Sequence, residues 1–109
     1  MKKRLSLVLL VMVSATQAAS FDCIKATTPD EKAICANRTL NDKDVEMATQ
    51  YRFLTGLFAM GGRGAMQDRQ QAWLEQRKMC KSDSICLNKR YDERIRELND
   101  IYARIDKPL

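Results

Sequence analysis

Histidine is absent from this sequence, and the absence removes whole classes of chemistry. No Ser-His-Asp or Cys-His arrangement can be built without an imidazole base. Zinc knuckles lose a frequent completing ligand, and the four cysteines do not stand in the tight pairs such sites use. Eleven residues separate Cys23 from Cys35, and five separate Cys80 from Cys86. A C-x-x-C motif is also missing, which excludes a thioredoxin-like redox pair. The glycine-rich "GGRG" at 61–64 lacks the following Lys-Ser or Lys-Thr of a phosphate-binding loop and no strand precedes it. It reads as a flexible connection between helices. Neither a metal nor a cofactor is expected.

A bilayer-spanning run is lacking too. The apolar stretch from Leu5 to Ala15 is shorter than the ~20 residues a span needs. It follows Lys2, Lys3 and Arg4 and precedes small residues, the pattern of a secretory signal peptide over 1–20. Cleavage after Ser20 puts Ala18 and Ser20 at the two small-residue positions, and cleavage after Ala18 is nearly as good. Ser20, Phe21 and Asp22 before Cys23 are not the small apolar approach that lipid attachment requires. A periplasmic or secreted protein without a stable membrane anchor is therefore expected. Losing Lys2, Lys3 and Arg4 with the leader takes the formal charge from +5 to +2. The remaining charges interleave, as in "RYDERIRELND", which is the solvated face of a helix and not a nucleic-acid stripe.

Residues 21–109 are enough for one domain with a modest core. Small exported domains commonly add disulfides, and an even cysteine count favours two bridges. Four cysteines allow three connectivities, which the chain's organisation narrows. "TTPDEKAIC" carries a helix start, with Thr28 as N-cap, Pro29 at the first helical position and Glu31 completing a capping box. Cys35 falls near the end of that short helix, and Cys23 on an arm that can fold back to it. Were 80–86 one continuous helix, its end Cα atoms would lie roughly 9 Å apart, beyond the about 7 Å a disulfide tolerates. A Cys80–Cys86 bridge therefore demands a turn at "KSDS", between two antiparallel helices. Cys23–Cys35 and Cys80–Cys86 are the expected pairs, worth roughly 3 and roughly 2 kcal/mol by loop entropy.

Between the bridges, a helix is expected from a cap at Asn41, with Leu40, Met47, Tyr51, Leu54 and Phe58 on one face and one interval of seven among them. "GGRG" should end it. A third helix, about 65–80, would turn inward Met66, Gln70, Trp73, Arg77 and Cys80, with Gln70 and Arg77 as polar intrusions. They either snorkel or pair with acids on a neighbouring helix, or they anchor a binding surface. The last helix, about 83–105, repeats Leu87, Tyr91, Ile95, Leu98, Tyr102 and Ile105 at intervals of three and four. The fold expected is all-α: a small bundle of three to four helices with a long antiparallel C-terminal hairpin, stapled by two disulfides.

These residues also carry a resemblance. Phe21, Asp22, Cys23 and Ala26, then Glu31, Ile34 and Cys35, then Trp73, Leu74, Arg77 and Cys80, and finally Cys86, Leu87, Tyr91, Arg94 and Ile95 resemble, in order, the motifs of the LprI-type lysozyme-inhibitor domain family. The chain departs from it in lacking a lipid-attachment site and in "GGRG", where many members have an Ala-rich helical segment. The resemblance implies an exported domain that binds a protein, a lysozyme or another envelope protein, and inhibits muramidase without covalent chemistry. The rival expectation is an accessory module of an envelope or export apparatus. Asp42, Asp44 and Glu46 form the best acidic patch for a basic lysozyme, and Gln70 and Arg77 are further candidate contacts. Catalysis is not expected, because the acids sit among Lys and Arg on helical surfaces instead of forming a desolvated carboxylate pair.

Overall fold

The computed structural model describes residues 19–105; the expected leader lies outside the described residues except for Ala19 and Ser20. A single 3-10 turn, Cys23–Lys25, leads into four helices: α1 Pro29–Ala36, α2 Arg38–Leu57, α3 Met60–Met79 and α4 Ser84–Arg104. No strand occurs among the described residues, so the chain is all-α.

Three of the four helices, α1, α2 and α4, start where a side chain satisfies backbone N–H groups that a first turn leaves unpaired; α3, which follows Ala59, has no side-chain cap. Thr28 caps α1, its hydroxyl accepting from the Glu31 amide, while the Glu31 carboxylate reaches back to the amide of Thr27. The capping box is thus closed one residue earlier than its usual form. Asp83 caps α4 by accepting from the amides of Ile85 and Cys86. The cap of α2 is Asn37, whose Oδ1 accepts from the Leu40 amide, and not Asn41 as the sequence led us to expect. Asn41 lies inside the helix and turns its amide back onto the carbonyl of Ile34, capping the end of α1 instead. The two helices meet at one residue, Asn37, so α2 gains a turn.

"GGRG" also departs from expectation. It belongs to the first turns of α3, which begins at Met60. Arg63 extends from α3 to donate to the carbonyl of Phe58 and to that of Thr55, which also accepts from the Phe58 amide, and so ties the start of α3 to the end of α2. Gly62 lets the Phe58 ring close in, since a Cβ there would meet Phe58 Cδ1 at 3.1 Å.

The helix directions follow from the contacts. Lys43 pairs with Asp92, and Gln50 with Asn99, each forty-nine residues on. A constant offset means that α2 and α4 run parallel. Gln70 meets Arg94 and Arg69 meets Glu97, so α3 is antiparallel to α4. The result is an up–down–up bundle of three long helices, with α1 laid against one end. The C-terminal hairpin is present as expected, yet α4 also lies along the full run of α2. Ile34, Leu40, Met47, Leu54, Trp73, Leu87, Tyr91 and Leu98 form the centre of the core. Trp73 and Tyr91 meet edge-on, ring centroids 5.1 Å apart, and the indole N–H donates to the carbonyl of Arg90.

Both bridges form as expected. Cys23 and Cys35 join with Cα atoms 5.9 Å apart, and Cys80 and Cys86 with 5.5 Å. The first holds the N-terminal arm, and with it Phe21, onto α1. The second closes the α3–α4 corner, where Lys81 takes a φ of 55°.

Candidate partner-binding face and the polar core behind it

Among the described residues five polar or charged ones are buried: Asp30, Asp44, Gln70, Arg77 and Arg94. A buried charge is tolerated only when paired and hydrogen-bonded. Arg77 Nε donates to Asp30 Oδ2 at 2.8 Å, and Arg77 Nη1 to the Tyr91 hydroxyl at 3.3 Å. The Tyr91 hydroxyl in turn donates to Asp44 Oδ1 at 2.7 Å. The other Asp44 oxygen accepts from the backbone N–H of Ser20 at 2.6 Å. Arg77 lies 3.7 Å from Asp44 Oδ1, and its guanidinium faces the rings of Phe21 and Trp73. One cluster therefore joins the N-terminal arm, α1, α2, α3 and α4.

A second cluster lies one turn along the bundle. Gln70 Oε1 accepts from Arg94 Nε and Nη2, while Gln70 Nε2 turns to the Met47 sulfur. Arg94 Nη1 continues to Glu97, which also takes a two-pronged pair from Arg69.

The electrostatics follow from these contacts. Burial works to raise the Asp30 carboxyl, but Thr28 and Arg77 outweigh it and hold it below the usual carboxylate range. Burial opposes the charge of Arg77, yet Tyr91 and Asp30 hold its proton more firmly than usual. The Tyr91 hydroxyl is pushed up by burial and then by the Asp44 carboxylate. Glu97 is held down chiefly by its hydrogen bonds from Arg69, against burial, with Arg94 adding to the effect.

This geometry corrects three of the candidate contacts. Asp44 is fully buried, and Gln70 and Arg77 are 8 % and 6 % exposed. They bind the helices to one another and offer little surface to a partner. Asp42 and Glu46 remain exposed on α2, so the acidic patch loses its middle member. The α2 stripe shows why Asp44 was misread. The interval of seven between Leu40 and Met47 is divided four and three by Asp44, which occupies a core position. Arg94 and Asp30 were missed for the same reason, although Arg94 falls three after Tyr91 and four before Leu98.

A surface that sequence reasoning did not single out lies at the far end of α2 and α4. Phe53, Leu57 and Tyr102 are 56 %, 48 % and 40 % exposed. The Phe53 and Tyr102 rings stand 5.9 Å apart, tilted by 57°. They border a groove of about 210 Å³ whose floor is Leu54 and Leu98 and whose polar edge is the Gln50–Asn99 hydrogen bond. A second concavity, between Phe58, Ile101, Arg104 and Ile105, is also largely apolar. Met60, 81 % exposed, begins α3 just past the α2–α3 corner. The i, i+4 relation of Phe53 and Leu57 on α2 was a readable signal.

Among the described residues no group of His, Cys, Asp or Glu is arranged to hold a metal ion. No described helix is long and apolar enough to cross a membrane. Comparison with protein-family models, curated proteins and solved structures finds no match.

Proposed function

We propose that this chain is an exported protein-binding domain whose partner is a lysozyme-type muramidase, inhibited by non-covalent occupation of its cleft. The observation that carries this reading is the aromatic groove of Phe53 and Tyr102. Exposed aromatics on a preorganised scaffold act as binding anchors, since they bring large contact area at low entropic cost. The packing of α2 on α4, with the Gln50–Asn99 hydrogen bond between them, supplies that preorganisation, and the two disulfides fit the oxidising compartment an exported protein occupies. Arg104, beside the neighbouring concavity, offers a cation to the paired carboxylates of a muramidase cleft. Binding accounts for this chain better than catalysis does, because Asp30 and Asp44 are committed to Arg77, Tyr91 and Ser20. The ordered motifs that resemble those of LprI-type domains are what point to lysozyme as the partner.

The charge of +2 after leader removal favours a second reading, since a basic lysozyme would feel no long-range attraction to it. In that reading the same groove seats an envelope protein, and the domain is an accessory module. A muramidase assay with purified protein separates the two. Inhibition at modest molar excess is expected, weakened at least tenfold by Phe53→Ser or Tyr102→Ser with the fold unchanged by circular dichroism. No inhibition of lysozymes of more than one type at several-fold excess removes the lead and leaves the accessory module.

A further inference from the structure

Asp30, Asp44 and Arg77 bring two carboxylates and one guanidinium into a single buried cluster, a net charge of −1. Isolated charge of that kind is strongly disfavoured away from water. Asp30 on α1, Asp44 on α2, Arg77 on α3 and Tyr91 on α4 surround the site, and among the described residues Arg77 is the one cation hydrogen-bonded within it. On the Asp30 side a concavity also borders Glu31, Glu75 and Lys78, whose exposed ammonium pairs with Glu75. The approach to Asp44 is occupied by the chain's own N-terminal arm. Ser20 N donates to Asp44 Oδ2 at 2.6 Å, so the backbone nitrogen of the arm lies in direct contact with the carboxylate. Phe21, next along, packs on Arg77 and closes the site.

We propose that leader processing occurs on the N-terminal side of Ser20, and that the α-ammonium it creates, at Ser20 or Ala19, is the missing counter-ion of the Asp30–Arg77–Asp44 cluster. The inference rests on the export reading and is independent of which partner is bound. Hydrolysis of the peptide bond consumes one water and turns a neutral amide into an ammonium and a released carboxylate. The ammonium is formed at or one residue from the atom that already contacts Asp44. Export would thereby be coupled to completion of the core, because the precursor lacks this charge. A cut after Ser20, one of the two sites that small-residue spacing allows, would delete the donor and open Asp44.

Intact mass of the protein recovered from the periplasm, after expression with its own leader, tests the first half. A chain starting at Ala19 or Ser20 is expected. A start at Phe21 or later overturns the proposal alone; an uncut chain overturns it together with the export reading. The second half is tested by comparing processed protein with a chain carrying a Gly-Ser extension before Ser20, which keeps Ser20 as an amide.

An α-amine normally titrates near 7.7–8.0. Paired with Asp44 its folded value rises, so its stabilisation is complete below about pH 7.5 and is lost as pH climbs through that raised value. Processed protein should show a melting temperature that falls between about pH 8 and 10, and the extended chain should not. Amine-specific labelling of the folded processed chain at pH 8 should be at least about tenfold slower than in urea. Identical pH profiles for both chains, or equal labelling rates, would overturn the counter-ion. Asp44→Asn in the processed chain should abolish the pH 8–10 fall; should that variant not fold, the extended chain carries the comparison alone.

Discussion

Replacing Arg77 by methionine leaves Asp30 and Asp44 buried around Tyr91 with no guanidinium between them. Removing one partner of a buried ion pair costs about 3–5 kcal/mol, because the other charge stays uncompensated. The exposed pair Lys43–Asp92 has similar geometry, 2.8 Å, but sits in water, where such pairs contribute about 0–1 kcal/mol. Arg94→Met should fall between, near 2 kcal/mol, because its buried acceptor Gln70 is neutral and Glu97 is partly solvated. Urea unfolding should rank the losses Arg77→Met, Arg94→Met, Lys43→Met. A Lys43→Met loss equal to that of Arg77→Met would refute the assignment of Arg77 as the central tie. Arg77 was legible as inward-facing from its place between Trp73 and Cys80. Its partners were not, for Asp30 is 47 residues away in the chain.

At the scale of elements, most of the chain was readable because caps and stripes are local. Thr28, Pro29 and Asp83 mark helix starts through bonds that span only two or three residues. The α2–α3 corner was misread because its cause is not local in the same sense. Glycine lowers helix propensity, but Arg63 caps α2 from α3 and Gly62 admits Phe58, so the tertiary gain outweighs the propensity loss. A measurable contrast follows. Gly64 has open space where a Cβ would stand, so Gly64→Ala should stabilise by about 0.5–1 kcal/mol. Gly62→Ala should gain less or lose, since its methyl group must displace the Phe58 ring. Thermal melts of the two variants should differ in that order; equal gains would mean that Phe58 does not close on Gly62.

Across the whole molecule, acid should be the condition that loosens the bundle. Asp30 and Glu97 are both held below their ordinary values of 3.8 and 4.5. A depressed folded value means stability that is fully present above the ordinary value and lost as pH falls through the folded one. The melting temperature should therefore hold from pH 7 to about 5 and drop below about pH 4. Asp30→Asn should start lower and fall less steeply. A flat profile down to pH 2 would show that these carboxylates do not differ between folded and unfolded chains. The groove of Phe53 and Tyr102 lies at the far end of the bundle from this cluster, so substitutions in one should leave the other unaffected.

What this sequence determined unaided was the set of interactions whose partners lie close in the chain or repeat along it. The cap at Thr28 and the apolar stripes are of that kind; helix placement narrowed the three cysteine connectivities, and the fold decided the bridges over twelve and six residues. Tertiary structure alone decided which polar residues are interior. An acid at a core position of α2 looks the same in sequence as one in a solvated first turn. Only the arrival of Arg77, Tyr91 and the Ser20 amide from three other segments makes its burial affordable, and those partners are chosen by the packing of helices that run parallel and antiparallel past it. The same packing leaves Phe53 and Tyr102 side by side on neighbouring helices, a surface that neither helix possesses by itself.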